Sequence, residues 1–117
     1  MKKISFLLSI LLSYGVSNAV PSYYNFNGGP SCKNTIAGYE SDDRYTKVAI
    51  QSVSLLYVKG FITAFNMVIS EVAKKPSIIG HDVGDDFIIG FIKEYCMNNP
   101  NSDMEMVSIQ LVSRLTK

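Results

Sequence analysis

The sequence predicts a small all-α domain, a helical bundle closed by one disulfide. Three observations predict it. Apolar residues between Phe87 and Cys96 recur at i, i+1, i+4, i+5, i+8 and i+9, the stripe of a helix packed on one side. Ser102-Asp103-Met104-Glu105 has the Ser-x-x-Glu pattern that opens a helix. No run alternates with period two, no Asn-Gly or Asp-Gly turn joins strand-like segments, and no internal repeat is visible.

Of the 117 residues, the first nineteen read as an export signal. Lys2 and Lys3 form a basic start, an apolar stretch runs from Ile4 to about Val16, and Ser17-Asn18-Ala19 puts small residues three and one before a cut. Ser9, Ser13 and Gly15 interrupt the apolar run, which is short for a hydrocarbon core roughly 30 Å thick, so cleavage after Ala19 is expected. The short basic start suits a bacterium, with the mature protein in the periplasm or secreted. About 98 residues remain, enough for one domain.

Residues 20–30 are rich in Pro, Tyr, Asn and Gly and read as an extended N-terminal arm. Its aromatics, Tyr23, Tyr24 and Phe26, can pin it to the core or meet a partner. The helical domain then spans 31–117. Ser31 caps a short helical turn carrying Cys32, Ile36 and Ala37, which Gly38 is expected to stop.

After a charged loop (Glu40, Asp42, Asp43, Arg44), residues 48–72 are strongly apolar. Ile50, Val53, Tyr57, Ala64 and Val68 fit one helical face, and Leu55, Val58, Ile62, Phe65 and Ile69 the neighbouring one. A helix so widely apolar is expected to be surrounded by others. Twenty-five residues make about 37 Å of helix, more than a domain this size readily covers, so a bend or break is expected near Gly60 or beyond Asn66. A membrane span is not expected, because Gln51, Lys59 and Asn66 interrupt the segment and a central Lys costs about 2.5–3.5 kcal/mol in a bilayer.

Pro76 ends that element and 77–84 connects to the next. There Asp82 is the expected cap, with Asp85 and Asp86 in the first turn at the positive end of the helix dipole. Asn98-Asn99-Pro100 closes this helix, and the last one carries Val107, Ser108, Leu111 and Leu115 on one face. Cys96 lies on the apolar stripe and Cys32 near the start. Two cysteines in an exported chain allow one pairing, Cys32–Cys96, and neither sits in a Cys-x-x-Cys motif. Closing a loop of about 65 residues stabilises by roughly 4 kcal/mol on the chain-entropy estimate.

The chemistry on offer is sparse. Removing Lys2 and Lys3 leaves nine Lys and Arg against ten Asp and Glu, a balance with no footprint for nucleic acid. His81, the single histidine, sits in His-Asp-Val-Gly-Asp-Asp, read here as a solvated helix start rather than a metal site. Asp42 with Asp43, and Asp85 with Asp86, are adjacent and diverge on a helix, which makes them poor acid–base dyads. No nucleophile elbow, His-Glu-x-x-His or phosphate-cradling loop occurs, so neither enzyme activity nor a cofactor is expected. Asn66 is read as a hydrogen-bonded core residue, and Gly60 and Gly90 as the place where two helices cross closely.

The central run Tyr57-Val58-Lys59-Gly60-Phe61-Ile62-Thr63-Ala64-Phe65-Asn66, the early Cys32, and Cys96 within Tyr95-Cys96-Met97-Asn98-Asn99-Pro100 together resemble the HdeA/HdeB class of small periplasmic proteins. The resemblance covers most of the mature chain. It implies an acid-stress chaperone: a homodimer at neutral pH that loosens in acid and holds unfolding clients. The stripes carrying Phe61, Phe65, Phe87 and Phe91 are the expected source of apolar client-binding surface, and Tyr23, Tyr24 and Phe26 of the arm, which departs from that class, are candidates for meeting a partner. In acid the carboxylates are neutralised and the mature chain approaches +10, which weakens any compact state by self-repulsion. Small disulfide-bonded immunity proteins share the same outline, and they imply a dedicated partner, a secreted effector capped through the arm and the 77–86 connection.

Overall fold

Ser31 is extended, and its hydroxyl accepts from the Asn34 N–H at 3.1 Å, which starts α1 (Cys32–Tyr39). The computed structural model describes residues 29–117; the expected export signal and residues 20–28 of the expected arm, with Tyr23, Tyr24 and Phe26, lie outside the described residues. Cys32, Thr35 and Tyr39, spaced i, i+3 and i+7, face inward. Gly38 does not stop α1. It is buried within the helix, and a Cβ there would collide with the Ile50 side chain, so the missing side chain is what lets α1 approach its neighbour.

That neighbour is α2 (Arg44–Ala73), a single helix of 30 residues. The Asp43 carboxylate caps it, accepting from the Thr46 N–H at 3.2 Å and the Thr46 hydroxyl at 2.6 Å. The expected break near Gly60 or beyond Asn66 does not occur. A solvent-facing glycine costs only its propensity, about 1 kcal/mol, and takes no hydrogen bond from the ladder. The helix ends instead at Lys74, in the left-handed region at φ 55, two residues before Pro76. Thirty residues make about 45 Å of helix, and the domain leaves its surplus uncovered.

The C-terminal half supplies α3 (Asp85–Asn98) and α4 (Met104–Leu115). Gly84, not Asp82, occupies the N-cap of α3 and offers no side chain, while Asp85 and Asp86 fall in the first turn as expected. The cap of α4 is Asp103 rather than Ser102, its carboxylate accepting from the Met106 N–H at 3.0 Å. Ser102 is held elsewhere. Its carbonyl accepts from the Cys32 N–H at 2.8 Å, and the Met104 N–H donates to the Pro30 carbonyl at 3.0 Å, so residues 30–32 lie antiparallel to 102–104 in a single bridge.

Next to that bridge lies the Cys32–Cys96 disulfide, 64 residues apart in sequence and 4.8 Å between Cα atoms. Both cysteines are fully buried, which ties α1 to α3 through the core. Val58 and Ile62 of α2, Ile88 and Ile92 of α3, and Met104, Val107 and Leu111 of α4 complete it. The buried polar groups are internal. Tyr39 and Ser54 share a hydrogen bond of 2.8 Å, and Ser108 donates to the Met104 carbonyl at 2.7 Å. Among the described residues the fold is all-α with one disulfide.

Candidate functional site

The feature that needs explaining is α2. Only Ser54, Val58 and Ile62 are buried, with Leu55 and Phe65 half-buried beside them, although α1, α3 and α4 all pack on this helix. The helix is therefore not surrounded. Its central turns bury one stripe, and the opposite side carries Ala49, Val53, Leu56, Gly60, Ala64 and Met67, three or four residues apart and so stacked along one line. Val53, Leu56 and Met67 are 51%, 66% and 69% exposed. Charge is absent from this line until Glu71. Lys59, on its flank, is drawn towards α3 by Asp85, with Nζ 2.9 Å from Oδ1. Tyr45, Val48, Val68 and Val72 of the same helix are exposed as well.

By length and hydropathy α2 alone, among the described residues, is long and apolar enough to cross a membrane. One side of it is the wall of a folded core, however, and three further helices would have to enter the bilayer with it.

The aromatics singled out from the sequence lie elsewhere. Phe61, Phe65 and Phe91 are half-buried and pack against the core, so they are its outer layer rather than an open client surface. Phe91 stacks on Tyr95 with ring centroids 6.4 Å apart, and the Arg114 guanidinium lies 5.8 Å from the Phe91 centroid. Phe87 is the most open of the four, 47% exposed. Gly60 and Gly90 do not mark a helix crossing: both are exposed, and a Cβ at either would meet nothing within 4 Å. The close approach expected of them belongs to Gly38.

Asn66 is where the sequence placed a satisfied polar residue, and its partners are now identified. Its Oδ1 accepts from the Ser77 hydroxyl at 2.8 Å and the Ile79 N–H at 3.0 Å, and its Nδ2 donates to the Ile79 carbonyl at 2.9 Å. The Ser70 hydroxyl accepts from the Ser77 N–H at 2.7 Å. These bonds hold the 77–83 connection against α2 around an open cavity of about 300 Å³, lined by Lys59, Ile62, Asn66 and residues 77–81. His81 lies at its rim, with Nδ1 3.0 Å from the Ile78 carbonyl and 3.9 Å from Asp82. Three of the four hydrogen-bonding positions of the Asn66 amide are taken by the loop, which leaves one Nδ2 hydrogen outside these bonds.

Among the described residues, perturbed titrating groups do not gather in one place. Burial pushes the Tyr39 phenol up against a smaller opposing effect of its hydrogen bond to Ser54. Burial also raises Tyr57, with help from the negative charges of Glu105 and Asp103. Neither phenol sits beside a base, and no group of three His, Cys, Asp or Glu converges among the described residues. What the arrangement can do is bind another surface through an apolar, uncharged face.

Val53, Leu56 and Met67 were not singled out from the sequence as functional. Only Val53 lay on either apolar face read from the sequence; Leu56 and Met67 lay on neither, and their signal was the breadth of apolar surface over 48–72, more than α1, α3 and α4 cover. No family model, curated protein or solved structure matches this chain.

Proposed function

We propose that this is an exported, non-enzymatic protein-binding protein of the periplasm, whose working surface is the uncovered apolar side of α2. The observation that carries the reading is the line Val53–Leu56–Met67, more than half exposed at each of these residues and free of charge. An exposed apolar stripe of this kind on a soluble domain marks an interaction surface. The layout of residues 1–19 and the buried disulfide support an oxidising compartment, and the HdeA/HdeB-like residues support a chaperone that holds unfolding clients. On this reading acid is not needed to release the surface, because it is open in the folded domain.

The test is aggregation of an unrelated client at pH 7 and pH 3, with the mature oxidised protein and a Leu56→Glu, Met67→Glu double variant. Suppression by the parent and its loss in the variant are expected, with the variant's melting temperature unchanged. Equal suppression by both would remove the face from the mechanism.

A second reading, a dedicated partner such as an effector that this protein caps, is favoured by the rigid 77–83 connection. Asn66 holds that loop in one shape, as a preformed specific surface requires. Capture of one protein at neutral pH by the parent, lost on Asn66→Ala, is its expected signature.

A further inference from the structure

We propose that residues 20–28 of this chain lie across the outward side of α2 and close it with their three aromatics, a tethered competitor that a client must displace. The inference rests on the reading of that side as the protein's binding surface and names what covers it between clients.

The described chain begins against α2. Gly29 has a φ of 66, and a Cβ built on it would overlap the Tyr57 ring. Conformation and space both exclude a side chain there, so the backbone rests directly on the ring. Tyr57 is half-buried, and its neighbours on the helix surface at i−4 and i+3 are Val53 and Gly60, two members of the exposed line. The residues that precede Gly29 are therefore tethered at the edge of the open side.

Their length suffices to cross it. Gly60, Ala64 and Met67 lie about 4.5, 10 and 15 Å along the axis from Tyr57. An extended chain spans at most about 3.5 Å per residue, which gives Phe26 a reach of about 10 Å from Gly29 and Tyr23 one of about 21 Å. Rings so spaced can meet every level from Gly60 to Met67. The exposed Gly60 and Ala64 leave a shallow step between the longer side chains of Leu56 and Met67, where a ring can lie flat. The Met67 thioether is a favourable neighbour for such a ring.

The chemistry of the two surfaces matches. Residues 20–28 contain no carboxylate and no Lys, Arg or His, and the line on α2 contains none before Glu71. Neither surface carries a side chain that acid would charge, so a client rather than a fall in pH displaces the segment.

The experiment reads thiol accessibility in the mature, disulfide-intact protein. Leu56→Cys is labelled with a maleimide at neutral pH, alone and combined with Tyr23→Ser, Tyr24→Ser and Phe26→Ser. Ile109→Cys, exposed on α4 and off this helix, is the control. Labelling at position 56 should be about tenfold faster without the three rings, the factor for a face covered nine-tenths of the time, and labelling at position 109 should not change. Client protection should rise in the serine variant, because its clients no longer compete with the rings.

Equal labelling with and without the rings overturns the proposal. Protection of position 56 that survives removal of the rings and grows with protein concentration also overturns it, and assigns the face to a second copy. Labelling that responds to the rings in a protein whose client protection ignores Leu56→Glu leaves the cover standing and removes the chaperone reading. Client protection that needs Leu56, with labelling blind to the rings, does the reverse.

Discussion

A glycine inside a helix admits two opposite accounts, and burial decides between them. At Gly38 a Cβ would overlap Ile50, whereas at Gly60 and Gly90 it would enter open space. Gly38→Ala is therefore expected to destabilise the domain by about 1–3 kcal/mol through overpacking. Gly90→Ala should stabilise it by up to about 1 kcal/mol through helix propensity. Urea midpoints of the two variants check the pair, and a Gly90→Ala loss as large as that of Gly38→Ala would restore the crossing to Gly90. Asn66 acts through three hydrogen bonds to one loop. Asn66→Ala should cost about 1–3 kcal/mol for the groups it leaves unpaired and should speed proteolysis between Pro76 and Val83. Asn66→Asp keeps the two accepted bonds and should lie between parent and alanine.

At the scale of the element, periodicity was legible and termini were less so. Of the stripe from Phe87 to Cys96, Ile88, Ile92 and Cys96 are buried, Phe91 and Tyr95 half-buried and Phe87 exposed; of the last helix's face, Val107, Ser108 and Leu111 are buried and Leu115 half-buried. The caps moved because each residue's alternatives were invisible locally. Ser102 is held by Cys32, some seventy positions away in the chain, and Gly84 starts α3 without a side chain. The continuity of α2 through Gly60 was missed for a similar reason. A break answered the question of how the domain could cover so long a helix, and the domain does not cover it. The exposed apolar face proposed for binding was thus present in the sequence as surplus apolar residues, but choosing which side would be surplus needed the packing of α1, α3 and α4.

The N-terminus of α2 carries a pH dependence of definite sign. Hydrogen bonds from the side chain and then the backbone of Thr46 hold the Asp43 carboxyl below its ordinary value of 3.8. Its contribution is complete above that value and is lost as pH falls through the lower, folded one. The first turn of α2 should therefore fray only in strong acid. Amide exchange at Thr46, measured between pH 5 and pH 2, should rise relative to Val58, and Asp43→Asn should flatten the dependence while keeping most of the cap.

For the molecule as a whole, the contrast is between what acid can break and what it leaves. Among the described residues the pairs between carboxylate and lysine are Lys59–Asp85 and Lys74–Glu71, both largely exposed, and exposed pairs contribute at most about 1 kcal/mol each. The core is apolar and closed by Cys32–Cys96, which acid does not touch. Weakening in acid must then come mainly from unbalanced positive charge, a long-range effect that salt screens. At pH 3 the melting temperature of the oxidised protein should fall at low ionic strength and recover substantially in about 0.5 M salt. Lys59→Met should change little at either pH. Replacing both cysteines by alanine should remove roughly 4 kcal/mol, a large share of what a domain this size possesses, and leave it unfolded at pH 3 in low salt. Thermal circular dichroism across the four combinations of disulfide and salt separates the two effects. If melting at pH 3 did not respond to salt while Lys59→Met shifted it strongly, a local ion-pair trigger would replace global repulsion as the cause.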